Sequence, residues 1–116
     1  DWFEVPDKLA PYQVAVFPLV RKDGLPEKSR EVFNLLRDDF RAKWEKSGSI
    51  GKRYARNDEI GTSYCLTIDY DTMDDDTLTI RDVDTTEQIR VSIDELKEVL
   101  QNLIDGKKQF EEYMEN

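Results

Sequence analysis

Lys52, Arg53 and Arg56 stand within five residues of one another in "GSIGKRYARNDEIGTSYC", residues 48–65, and Asp58 and Glu59 follow directly. On a helix, Lys52, Arg56 and Glu59 fall at i, i+4 and i+7 and share one face. The plain reading is a solvated face stitched by ion pairs. Concentrating cations in a chain of net charge −9 also suits a local polar or anionic ligand. Arg53 and Asp58 read as a surface ion pair, and Tyr54 as a core residue.

Nucleophilic chemistry is not expected. The chain contains no histidine, which removes Ser-His-Asp and Cys-His systems and any His-ligated zinc site. The one cysteine, Cys65, sits in the alternating pattern "SYCLTID" and reads as a buried structural thiol. "DGLPEKSR" lacks the GK[ST] ending of a phosphate-cradling loop. The acidic run "DTMDDD" lacks the spaced ligands and terminal glutamate of a calcium loop and reads as a solvated turn.

The elements that must position these residues follow from periodicity. "YQVAVFPLV", residues 12–20, is an apolar run of β-formers suited to a strand buried on both faces. In "LPEKSREVFNLLRDDFRAKW", Pro26 fits a first helical turn, and Val32, Phe33, Leu36 and Phe40 form one apolar stripe. A short strand is predicted over Lys43–Lys46, then a helix from about Gly51 to Ile60 with Ser49 before it and Gly61 after it. Strands are predicted over Thr62–Tyr70, Thr77–Val83 and Glu87–Ile93. The last helix, in "SIDELKEVLQNLIDG", opens with a Ser92/Glu95 capping box, carries Leu96, Val99, Leu100, Leu103 and Ile104 on one stripe, and ends at Gly106. The sum is an α/β fold, a mixed sheet with helices on its faces.

At 116 residues the chain is long enough for one domain. Residues 1–10 are read as a leader from an upstream chain, 11–105 as the domain and 106–116 as a C-terminal tail, amphipathic at best. No apolar run approaches the roughly 20 residues of a membrane span, no signal peptide is visible, and a lone cysteine suits a reducing cytoplasm. Charge is uneven: residues 50–67 hold three bases against two acids, whereas residues 68–86 hold seven acids and one base. Such a surface repels a phosphate backbone, so any nucleic acid should be recognised locally, through bases.

The stretches "APYQVAVFPLV", "DGLPEKSREVFNLLR", "GSIGKRYARNDEIGTSYCLTIDYDT" and "TIRDVDTTEQIRVSIDELKEVL" resemble the C-terminal anticodon-binding domain of class II aminoacyl-tRNA synthetases. The resemblance is narrowest to glycyl-tRNA synthetases of the archaeal and eukaryotic type, and it runs over residues 11–105. It implies a mixed sheet of about five strands flanked by about three helices. It also implies a tRNA-binding job, non-catalytic in isolation, beside an upstream ligase domain that would use ATP and magnesium. The implied partner is the anticodon loop of glycine tRNA, with neither DNA nor membrane, and the implied parent is a homodimer.

Glycine codons begin with two guanines, so the invariant anticodon letters are two cytosines. A cytosine edge offers an amino donor beside two acceptors, which calls for a carboxylate beside a cation or amide. Lys52, Thr67 and Tyr70 match anticodon-contacting places in the family. Arg56, Glu59 and Arg81 join them on charge and geometry, and Tyr70, expected at a strand end, would offer a stacking surface. The family's "RDRD" reads "RDVD" here, so Val83 stands where an arginine is expected; either another group, Arg81 or Arg90, contacts that base or the site is weakened. Two rival readings are a synthetase-like domain turned into a protein-interaction module, as in polymerase accessory subunits, and a free-standing acidic binding module.

Overall fold

The computed structural model describes residues 12–45, 52, 54, 55, 57 and 61–114. Its centre is a strand that can hide both faces. β1 (Val14–Pro18) is buried at every position, as expected of a strand lacking polar side chains. β2 (Ala42–Trp44) pairs parallel to it on one side and β3 (Tyr64–Ile68) on the other. β4 (Thr77–Asp82) and β5 (Gln88–Ser92) then add antiparallel. The mixed five-stranded sheet has the order β2-β1-β3-β4-β5, the architecture expected from the sequence.

One face carries the main core. Val14, Val16, Leu66, Ile68, Leu78 and Ile80, all 0% exposed, meet Leu25, Val32 and Leu36 of α1 (Leu25–Leu36). They also meet Leu96, Val99, Leu100 and Leu103 of α3 (Leu96–Asp105). Each fully buried large aliphatic side chain contributes about 1.5–3 kcal/mol. Gly24 precedes α1 at φ +81, a left-handed backbone that suits glycine, and Pro26 sits in its first turn. Phe40 is buried with the stripe predicted for α1, but from the turn after it, because the helix closes at Leu36.

Two local predictions are corrected. The acidic run is not a turn: α2 (Tyr70–Asp75) forms there, begun by an Asp69/Thr72 capping box and closed by Asp76 at φ 57. Its caps satisfy the terminal backbone groups that a short polar helix cannot satisfy by itself. The Ser92/Glu95 box is also absent. A 3-10 turn, Ile93–Glu95, leads into α3 instead, and Ser92 makes no side-chain cap hydrogen bond. Gly106 ends α3 at φ +76, as predicted. Beyond it, α4 (Phe110–Met114) returns Phe110 to the core, where its ring stacks on Tyr64 at 6.5 Å.

The second face of the sheet is narrower. Ala15, Phe17 and Cys65 form a small cluster there, covered by Tyr54 and Val83. Lys52, Tyr54, Ala55 and Asn57 are helical, within the stretch predicted as a helix, while the remaining residues of 51–60 and the predicted cap Ser49 lie outside the described residues.

Candidate nucleic-acid interface

Strand register builds the site. Ala15, Cys65, Arg81 and Gln88 align across four neighbouring strands, and Phe17, Thr67, Thr79 and Arg90 align in the next row. Alternation puts both rows on the face away from the main core. On β1 and β3 this face is covered and, apart from Thr67, apolar; on β4 and β5 it carries Arg81, Gln88 and Arg90.

Tyr54 divides the covered part from the open part. Its ring meets Phe17 edge-on, with centroids 5.7 Å apart and planes at 67°. Its hydroxyl lies 3.0 Å from the Thr67 hydroxyl and donates to Gln88 Oε1 at 3.4 Å. The Arg81 guanidinium lies 4.4 Å above the ring centroid, a cation–π contact worth about 0.5–2 kcal/mol. Beside this stack opens a cleft of about 310 Å³ lined by Tyr54, Ala55, Arg81, Val83, Asp84 and Thr86.

The far wall is a braced turn. The Asp82 carboxylate accepts from the Asp84 and Thr85 amides at 2.9 and 3.3 Å, and the Asp82 carbonyl accepts from the Thr86 amide at 2.8 Å. These bonds hold Thr86 at φ 65, which few non-glycine residues adopt. Val83 packs against the small cluster, while Asp84 and Thr86 stay exposed.

Of the site residues expected from sequence, Thr67 and Arg81 converge on Tyr54. Thr67 is 4% exposed, so it acts beneath the tyrosine ring and not at the surface. Lys52 is helical and exposed. Arg56 and Glu59 lie outside the described residues. Tyr70 stands apart from this group, as the first residue of α2 and not at a strand end. It is 43% exposed, and its hydroxyl donates to Asp23 at 2.6 Å, a bond that raises the phenol pKa.

Arg90 is engaged elsewhere. It donates to Asp69 and, at 2.9 Å, to the Thr77 hydroxyl, which leaves Arg81 as the guanidinium sharing the cleft with Val83. Burial works against ionisation of Asp69, but the bonds from Arg90 and Thr72 outweigh it and hold the carboxyl below its usual range. Cys65 is fully buried, and desolvation pushes its thiol up to about 12, as the structural reading required. Sequence reasoning missed Asp84, Thr86 and Gln88, and took Tyr54 for core alone. Alternation in "TIRDV" and "EQIRV" shows which residues share a face, but the pairing that sets Gln88 beside Arg81 appears only in the folded sheet.

Comparison with known proteins agrees with the fold. The family described as "Anticodon binding domain" matches residues 13–103. Glycine–tRNA ligase of Clostridium kluyveri is 57% identical over 96 residues, covering 83% of this chain and 20% of the ligase. Glycine–tRNA ligase of Methanothrix thermoacetophila is 46% identical over 109 residues, 90% of this chain and 18% of the ligase. The chain thus spans about one fifth of the length of these relatives. The fold is shared with prolyl-tRNA synthetase from Cryptosporidium parvum, at a TM-score of 0.78, 20% identity and coverage of 87% of this chain and 22% of that one. It is shared too with histidyl-tRNA synthetase from Nostoc sp. PCC 7120, at 0.73, 23% identity and coverage of 81% and 23%. With the family matched across most of its length, this chain belongs to the anticodon binding domain family, as a homologue of the corresponding segment of glycine–tRNA ligases.

Proposed function

We propose that this domain holds the unpaired cytosines of the glycine-tRNA anticodon on the sheet face beside Tyr54. The observation that carries the reading is the Arg81–Tyr54 stack, anchored by Thr67 and opening on a cleft of single-ring size. A fixed aromatic ring topped by a guanidinium is a surface on which a splayed base can stack and bond. Lys52 supplies a cation on the covering helix; Arg56 and Glu59, expected from sequence to join it, lie outside the described residues. Tyr70, held by Asp23, supplies a second stacking surface beyond the end of β3.

The mechanism is placement. Holding the anticodon fixes the tRNA so that its acceptor end reaches a ligase site elsewhere in the parent enzyme. That parent would be a cytoplasmic homodimer using ATP and magnesium in its catalytic domain, and this domain would bind neither cofactor.

Fluorescence titration of the chain with a labelled glycine anticodon stem-loop, and with versions carrying uracil for either cytosine, tests the reading at fixed salt. The native loop should bind more tightly, by the roughly 1–3 kcal/mol that a well-formed base contact supplies. Lys52→Ala and Tyr70→Ala should shrink that preference without unfolding the domain. Equal affinity for all three loops would reject it.

A further inference from the structure

The geometry points to Asp84 and Arg81 as a cytosine-reading pair: Asp84 accepts from the exocyclic amine while Arg81 donates to the neighbouring acceptors of the same edge. This rests on the anticodon reading above and adds to it the residue that separates cytosine from uracil.

Both residues line one cleft, three positions apart in the chain, yet among the described residues no ion pair joins them. Arg81 is held over the Tyr54 ring. Asp84 is exposed, and among the described residues its carboxylate has no hydrogen-bond or ion-pair partner. Its backbone is fixed, because its amide donates to Asp82 within the braced turn. The residues lining the cleft therefore include one carboxylate acceptor and one set of guanidinium donors that are not paired with each other. At about 310 Å³ it lies at the small end of ligand pockets, which start near 300 Å³, so it suits one ring and not a stacked dinucleotide.

The chemistry of the edge selects the base. Cytosine sets an amino donor beside two acceptors, a match for one carboxylate and a guanidinium with paired donors. Uracil turns the amine into a carbonyl and the ring nitrogen into a donor. Its carbonyl would face the Asp84 carboxylate, an unmatched contact that works as rejection. Thr86, on the same wall, donates its hydroxyl hydrogen to the Thr85 carbonyl, so it offers no free donor to a uracil carbonyl there.

NMR titration of the 116-residue chain at millimolar RNA gives the test, using the native glycine anticodon stem-loop and the two loops with a single cytosine-to-uracil change. The wild-type chain should prefer the native loop by about tenfold over at least one substituted loop. Asp84→Ala should cut that ratio below about twofold while its affinity for the same uracil loop stays level or rises, and Asp84→Asn should level the ratio too. Because Asp84 is exposed, both variants should melt with the wild type. An unchanged ratio in both variants, with the wild type still selective, overturns the assignment of Asp84 alone. A wild type that does not discriminate between loops, or binds none, overturns the anticodon reading and this pair with it.

Discussion

At the scale of single residues, Tyr54 is the piece on which the cleft turns. Its hydroxyl is tied to Thr67 and Gln88, and its ring is wedged between Phe17 and Arg81. Tyr54→Phe removes the hydroxyl and keeps the ring, so the fold should lose only about 0.5–1.5 kcal/mol, a fall in melting temperature of several degrees. Calorimetry checks that, and RNA affinity should fall as well, because the ring is no longer tethered. Cys65 makes a separate prediction. A buried thiol pushed up to about 12 stays protonated at neutral pH, so a thiol reagent at pH 7.5 should label the native chain far more slowly than the unfolded one. Side-chain type read well from sequence where one role sufficed, as for Cys65. It read poorly for Tyr54, whose edge packs in the core while its face carries a guanidinium. Periodicity registers the first of these roles alone.

At the scale of elements, the junction of β3, α2 and β5 is bound by one carboxylate. Asp69 caps α2 through the Thr72 amide and also pairs with Arg90 across β4. Asp69→Ala removes a helix cap, worth about 0.5–2 kcal/mol, and leaves Arg90 with the Thr77 hydroxyl and the more distant Asp71 carboxylate, 3.9 Å away. Its pH dependence has a definite sign. The folded-state pKa of Asp69 is depressed, so its stabilisation is complete above the unfolded value of about 3.9 and is lost as pH falls through the lower folded value. Urea midpoints at pH 6 and pH 3 should therefore converge in Asp69→Asn relative to wild type. The strands were legible because alternation marks them directly: Tyr64, Leu66 and Ile68 face the core as the pattern required. α2 was not, because "YDTMDD" has no apolar stripe and stands on its caps. The Ser92/Glu95 signal failed for the opposite reason, since Ser92 remains paired with Thr77 at the end of β5 and Ile93–Glu95 tighten into a 3-10 turn.

At the scale of the whole molecule, charge sets how RNA can be held. With 26 acidic residues against 17 basic ones, the surface repels phosphates over most of its extent. Binding should accordingly follow base identity, and its salt dependence should be shallow, corresponding to few neutralised phosphates. A steep loss of affinity between 50 and 200 mM salt, measured by titration, would instead mean a backbone-tracking surface. The most direct test of the central claim is to map the amide chemical shifts of the chain as the native glycine anticodon stem-loop is added. The account predicts changes centred on Tyr54, Ala55, Arg81, Val83, Asp84, Thr86 and Gln88, with Tyr70 also moving. Changes confined to the exposed sides of α1 and α3, with the Tyr54 cleft silent, would contradict it.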